Sequence, residues 1–220
     1  MAVIGAGWIG SEVAASARQL GRNVAMIAPS VVPLERVLGG EVGGVYRTLH
    51  ADHGVDLHLQ TGVEALLGTA AVEGLQLSDG TRLAADVVIV GIGAVPRVQL
   101  AAAAGLTVDD GIVVDTHLRT SDPDIFAAGD VASALHPVLG SNIRVEHWAN
   151  ALHQGPAAAR NMLGIATPYE RIPYFFSDQY DLGMEYSGYA KAWDRVVLRG
   201  DPAQGSPSPS GSRVDWSSQE

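Results

Sequence analysis

Apolar and polar positions recur along this chain with two periods, and the switches between them mark its elements. Residues 2–5 are a short apolar run, read as a strand. Residues 8–21 follow as a helix, ended by Gly21, because a glycine past the last turn adopts the left-handed conformation without strain. Residues 23–28 read as a second strand. From Glu41 to His53 apolar side chains recur at Val42, Val45, Tyr46 and Leu49, the spacing of one helix face, and Gly54 stops the pattern. Val55-Asp56-Leu57-His58-Leu59 alternates like a half-buried strand. Residues 72–78 and 81–84 flank Asp79-Gly80, a favoured hairpin dipeptide. Residues 86–90 read as a strand, continuously apolar after Asp86, as in the centre of a parallel sheet. This β-α-β-α-β order with a hairpin predicts an α/β nucleotide-binding domain over residues 1–92.

The second half is less periodic. Residues 98–104 read as a short helix and 112–115 as a strand. Ile125 to Ala128 is a short apolar strand after a turn carrying Ser121, Asp122 and Pro123. Residues 146–163 predict a long helix around Trp148, Ala151, Leu152, Ala158 and Met162. Residues 171–199 are aromatic-rich and strand-like. From Pro202 a Ser/Pro run has no periodicity, so 201–220 is expected to be a disordered tail.

Two glycine-bearing sites sit on this frame. The first strand enters Gly5-Ala6-Gly7-Trp8-Ile9-Gly10, a G-x-G-x-x-G turn opening a helix. Gly5 permits the tight turn, Gly7 lets a pyrophosphate come close and Gly10 lets helix and strand pack. The helix N-terminus offers amides and partial positive charge to phosphate. The second site is Gly129-Asp130, at the end of the apolar run from Ile125. Gly129 allows close backbone approach, and Asp130 presents a carboxylate at a strand's C-terminal end, where open α/β sheets bind ligands.

Composition narrows the chemistry. The net charge is −10, with one lysine, Lys191, and no basic cluster. An acidic chain of this kind is a poor partner for nucleic acid or an anionic membrane. No cysteine is present, which excludes a redox-active disulfide, a thiolate nucleophile and a cysteinyl iron–sulfur cluster. Ala14-Ala15-Ser16-Ala17 mimics a signal-peptidase site, but it lacks a basic region before it and Glu12 interrupts the apolar run, so no signal peptide is expected. Asp86, Pro96 and Arg97 break the apolar stretch 83–106, which argues against a membrane span. A cytoplasmic protein is the default expectation. His50 and His53 lie three apart on a helix without accompanying ligands, so no metal site is expected. No G-x-S-x-G turn supports hydrolase chemistry.

Five runs in order carry a family resemblance: Gly5 to Glu12, Pro33 to Val42, Thr120 to Ala132, Val145 to Gly155 and Pro173 to Tyr186. Over residues 3–200 the chain resembles the FAD-dependent, NAD(P)H-oxidising ferredoxin reductases. These include reductase components of dioxygenase and P450 systems and apoptosis-inducing-factor-like proteins. The missing Cys-x4-Cys sets it apart from the disulfide-reductase relatives. The resemblance implies the two-dinucleotide-binding-domain flavoprotein fold, with Rossmann-like parallel sheets. It divides the chain into an NAD(P)H-binding domain, 1–92, and part of an FAD-binding domain, 93–166, followed by the start of an α+β interface domain, 167–200. It implies hydride transfer from NAD(P)H to FAD, then single electrons to a ferredoxin-like iron–sulfur acceptor. A small-molecule acceptor, such as a quinone, and a catalytically inactive nucleotide-binding fragment are the alternatives.

The resemblance also assigns residues. Gly5, Gly7, Trp8, Ile9 and Gly10 would hold the nicotinamide nucleotide, with Gly91, Ile92 and Gly93 at the crossover into the flavin domain. Glu12, one turn into the helix, would lie near the flavin, or simply favour the helix dipole as an exposed acid near the N-terminus. Gly129 and Asp130 would contact the flavin ribityl chain, or Asp130 would cap a helix. Glu146, His147 and Trp148 would lie beside the flavin, with core packing the alternative for Trp148. Phe176 would sit on the electron-exit side or pack in the core. Ala28 departs from the pattern, since an acid is expected about 20 residues after the glycines to bind the ribose of NAD. Glu35 and Arg36 follow: Arg36 would suit a 2′-phosphate, or both are solvated. The family carries a further N-terminal segment holding the ADP half of FAD and a longer C-terminal domain. A truncated or frameshifted chain is therefore expected, binding FAD poorly and leaving apolar surface near Val113, Ile125 and Phe126 uncovered.

Overall fold

The computed structural model describes residues 1–190, 192–199 and 213–217. The chain divides into two compact units: 1–93 with 177–184 and 190–220, and 94–176 with 185–189.

The first unit is built on a parallel sheet. β1 (Ala2–Ile4) leads through the glycine turn into α1 (Trp8–Gln19), then β2 (Ala25–Ala28), α2 (Glu35–Asp52) and β3 (Asp56–Leu59). An antiparallel three-stranded sheet follows, β4 (Val63–Leu67), β5 (Gly74–Leu77) and β6 (Arg82–Ala84), with the chain returning as β7 (Val88–Val90). The parallel order is β3-β2-β1-β7, which places β1 centrally. Val3 and Met26 are fully buried under α1, whose inward face is Ala14, Ala15 and Ala17. Small alanines let the helix lie close to the strands. On the other face Ala2 and Ile27 pack with Leu75 and Leu77 of the antiparallel sheet and with Ala85 just after it.

Two differences from the expected pattern arise here. β4 was not expected, because Glu64, Ala65 and Leu66 are exposed and its alternation is broken by an irregular register between Val63 and Ala65. α2 begins at Glu35 rather than Glu41, and Gly39, at φ 77°, kinks the joined helix. The turn before that kink has no apolar period of its own.

In the second unit α3 (Gln99–Ala103) precedes β8 (Ile112–Val114), β9 (Ala132–His136) and β10 (Ser141–Ile143), a sheet of order β10-β9-β8. α4 (Trp148–Met162) follows. The expected strand at Ile125–Ala128 is corrected: it is extended chain making a single bridge, Arg119 to Phe126, and Gly129–Val131 is one 3-10 turn. Its amides donate to the carbonyls of Asp122 (from Ile125) and Leu118 (from Ala127), so no ladder forms. The strand comes afterwards, as β9. The face of α4 is also corrected. Trp148, Leu152 and Met162 are exposed, whereas Asn150, Gln154, Ala157, Ala158 and Asn161 are buried. Apolar spacing located the helix correctly but not its inward side, because buried amides there bind loop backbone.

β11 (Tyr174–Gln179) and β12 (Leu182–Ser187) form an antiparallel hairpin. β13 (Arg195–Arg199) pairs antiparallel with β14 (Arg213–Ser217). Residues 201–212 and 218–220 of the expected disordered tail lie outside the described residues, but Arg213–Ser217 is a paired strand, and the expectation is corrected there.

Candidate functional site

The glycine turn of the first unit forms a tight cradle. A Cβ on Gly5 would overlap the Gly91 carbonyl, its carbon lying 2.8 Å away, and φ is +106°. A Cβ on Gly10 would overlap the Gly5 carbonyl, its carbon lying 2.9 Å away. These two glycines therefore bring turn, α1 and β7 together. Gly7 is different: nothing lies within 4 Å of its Cβ position, and its φ of −78° suits any residue. It is the N-cap of α1, with its carbonyl accepting the Ser11 amide at 2.9 Å. The space over Gly7, beside the first amides of α1, matches what a pyrophosphate needs. Ile9 and Ile92 are exposed, by 68% and 74%. Gly93 follows with φ +107°. Trp8 is half-buried and meets Tyr46 edge-on at 6.4 Å.

The β2–α2 loop docks on the cradle, since the Leu34 amide donates to the Ala6 carbonyl at 2.8 Å. Ala28, at the end of β2, is buried. The Glu35 carboxylate accepts the Val31 amide at 2.9 Å, and Arg36 is exposed. Glu35 thus orders its own loop.

Glu12 stands in the second turn of α1, half-buried, and accepts the Ser177 hydroxyl at 2.7 Å. Ser177 also accepts the Gln179 side-chain amide at 3.1 Å. Gln179 in turn meets His50 Nε2 at 3.0 Å, and the Tyr180 hydroxyl meets His50 Nδ1 at 3.2 Å. Burial, offset in part by the Gln179 bond, pushes the His50 pKa down to about 4. Burial and the charge of Glu12 raise that of Tyr46. His53 stacks on Tyr180 at 3.7 Å, so both histidines have protein partners. Ser177 and Gln179 are not among the residues the sequence singles out. Their alternate positions in β11 signal a shared face, but nothing in the sequence pairs them with Glu12, 165 residues away.

The second unit carries the other candidates. Gly129 is buried at φ +78°, and its amide donates to Gln154 of α4 at 2.7 Å. Asp130 beside it is exposed. Arg144, absent from the sequence candidates, holds this turn: it binds Asp110 at 2.9 Å, the Asp130 carbonyl at 3.4 Å, and Glu146. Those carboxylates raise the Arg144 pKa, Glu146 foremost. His147 is the N-cap of α4, and burial lowers its pKa. Its ring packs on Phe175 at 4.4 Å, while its Nδ1 has no hydrogen-bond partner among the described residues. Trp148 is 73% exposed and Phe176 53% exposed, so core packing accounts for neither. Ile125 is also exposed, with Val113 and Phe126 half-buried.

Comparison with known proteins agrees with this geometry. Residues 1–155 match the family model described as pyridine nucleotide-disulphide oxidoreductase, and 174–211 match the reductase C-terminal model, which extends into the Ser/Pro run. The chain is 45% identical to the ferredoxin–NAD(+) reductase component of the anthranilate 1,2-dioxygenase system of Burkholderia cepacia, covering 93% of this chain and 50% of that protein. It is 41% identical to putidaredoxin reductase of Pseudomonas putida, covering 93% and 49%. The solved ferredoxin reductase for the CYP199A2 system of Rhodopseudomonas palustris superposes with TM-score 0.87 at 39% identity, over 92% of this chain and 50% of that one. The chain spans about half the length of the curated relatives it matches.

Proposed function

Because the chain belongs to the pyridine nucleotide-disulphide oxidoreductase family, we propose that it serves FAD-dependent transfer of electrons from NAD(P)H to a ferredoxin-like iron–sulfur protein. The observation that carries this is the cradle, in which Gly5 and Gly10 are demanded by packing while Gly7 between them stands over open space. Gly5, Gly7, Trp8, Ile9 and Gly10 would bind and orient the nicotinamide nucleotide, with Gly91, Ile92 and Gly93 bordering it. Gly129 and Asp130 would receive the ribityl hydroxyls of FAD. Asp130 suits this role because its carboxylate is exposed on a turn whose backbone Gln154 and Arg144 hold. Glu146, His147, Trp148 and Phe176 would line the ring, with exposed Trp148 supplying a flat apolar face. Glu12 would act near the reacting ring. Bound FAD supplies the conversion from a two-electron donor to a one-electron acceptor. The chain's residues align the reactants, and no side chain need move a proton in that step.

Glu35 leaves nucleotide choice to Arg36, which is exposed and suits a 2′-phosphate. Relatives named for ferredoxin–NAD(+) reduction support NADH as the donor. No helix among the described residues is long and apolar enough to cross a membrane. We place the protein in the cytoplasm, where reduced nicotinamide nucleotide is supplied.

The test is the absorbance spectrum of the purified chain with FAD, followed by NADH. A retained flavin band that bleaches supports a working reductase core. A second reading is a nucleotide-binding chain without activity, since the glycine cradle lies wholly within the first unit. Binding of NADH with no retained flavin would support that reading. Loss of both would overturn the nucleotide assignment itself.

A further inference from the structure

Two side chains, Gln179 and Ser177, link a buried histidine of α2 to the carboxylate on α1, and the bonds of this chain can run in only two directions. The carboxamide NH2 of Gln179 can only donate, so Ser177 Oγ accepts from it and must spend its single proton on Glu12. Glu12 therefore accepts, as a carboxylate does. Gln179 Oε1 faces His50 Nε2, which must then carry the hydrogen. His50 Nδ1 is left as an acceptor, and it takes the Tyr180 hydroxyl. His50 is fully buried, which keeps its ring neutral and gives it one hydrogen to place. The reversed network is equally well connected, with Nδ1–H toward Tyr180, the Gln179 amide turned over and Ser177 donating to it. That arrangement requires Glu12 to donate to Ser177, which only a protonated acid can do.

We propose that Ser177, Gln179 and His50 are positioning residues for Glu12, joined in a hydrogen-bond network whose direction is set by the charge of Glu12. The tautomer of His50 then reports whether Glu12 is held as an ionised acceptor. The anchor of the network is firm: Tyr180 sits at φ 58° at the hairpin tip, stacked on His53 at 3.7 Å, and Ser177 and Gln179 are buried. One oxygen of Glu12 is occupied, so its rotamer is fixed one turn into the cradle helix. The purpose of that fixed acceptor rests on the nucleotide-binding reading of α1; the existence of the network does not.

Long-range proton–nitrogen correlation on the 15N-labelled protein near pH 7 reads the tautomer directly. His50 is expected as Nε2–H with an unprotonated Nδ1; a predominant Nδ1–H form would overturn the proposal. Glu12→Met removes the acceptor, and the network should turn so that His50 moves to Nδ1–H or a mixture. A His50 signal unchanged from wild type in that variant would also overturn it. Ser177→Thr keeps the hydroxyl and should keep Nε2–H, with a backbone amide spectrum matching wild type as the folding control; a switched tautomer there would refute the hydroxyl link. The measurement needs no nucleotide. A failed NADH titration on the same sample would remove the nucleotide reading, while the tautomer would still decide the direction of the network.

Discussion

Gly7 and Gly10 lie three residues apart and answer to different demands. A Cβ at position 10 would drive into the Gly5 carbonyl, which is backbone and cannot swing aside. Gly10→Ala is expected to cost about 1–3 kcal/mol, at the upper end of the range for overpacking, measured by urea unfolding. A Cβ at position 7 meets nothing within 4 Å and needs no unusual φ. Gly7→Ala should therefore leave the unfolding midpoint nearly unchanged while weakening NAD(P)H binding at least about tenfold, or roughly 1.4 kcal/mol. Equal loss of stability in both variants would show that Gly7 is also structural. The motif names all three glycines from sequence. Which of them serves the ligand is decided by what surrounds each one, and the motif does not carry that.

At the level of elements, polar side chains on helices fix loops and strands. Gln154 of α4 gives the buried Gly129 amide its partner at 2.7 Å. Gln154→Leu would leave that amide unpaired, costing about 1–3 kcal/mol and loosening the Asp130 turn. Thermal unfolding with and without FAD would show both effects. His50 couples α2 to the β11–β12 hairpin and carries a pH signature. Its folded pKa of about 4 lies below the ordinary 6.5, because burial disfavours the charged ring. Between these values the unfolded chain binds a proton that the folded chain refuses. The contribution is fully present above pH 6.5 and is lost as pH falls towards 4, by up to roughly 3 kcal/mol. Urea titrations at pH 7 and 4.5 should show that loss, and His50→Gln should lack this part of it. A slope unaltered in His50→Gln would place the acid sensitivity elsewhere.

For the whole molecule, charge and exposed apolar surface act together. The sequence pI is about 5.0, and Ile9, Ile92, Val95, Leu100, Trp148 and Leu163 are each more than two-thirds exposed. Near pH 5 the repulsion that keeps such surfaces apart vanishes. Light scattering should rise steeply there and fall again on either side; a flat profile from pH 4.5 to 7 would show that these side chains do not drive association.

The alternating β-α-β pattern, the G-x-G-x-x-G turn and the five ordered runs already fixed the α/β class and the family, because both depend on local periodicity and on glycines at set spacing. β4 and the first turn of α2 stayed hidden, since an exposed strand and a kinked turn leave no clean period. The inward face of α4 was misread for a physical reason: burial there follows hydrogen bonds, from Asn150 and Asn161 to loop carbonyls and to Gln154 from the Gly129 amide, not hydrophobicity. Likewise the run at Ile125 looked like a strand by composition and became extended chain for want of a neighbouring ladder. Only the folded chain could bring Ser177 and Gln179 to Glu12, or Arg144 to the Asp130 turn. Periodicity is a property of neighbours along the chain, whereas the partner of a buried polar group is set by packing between segments far apart in sequence.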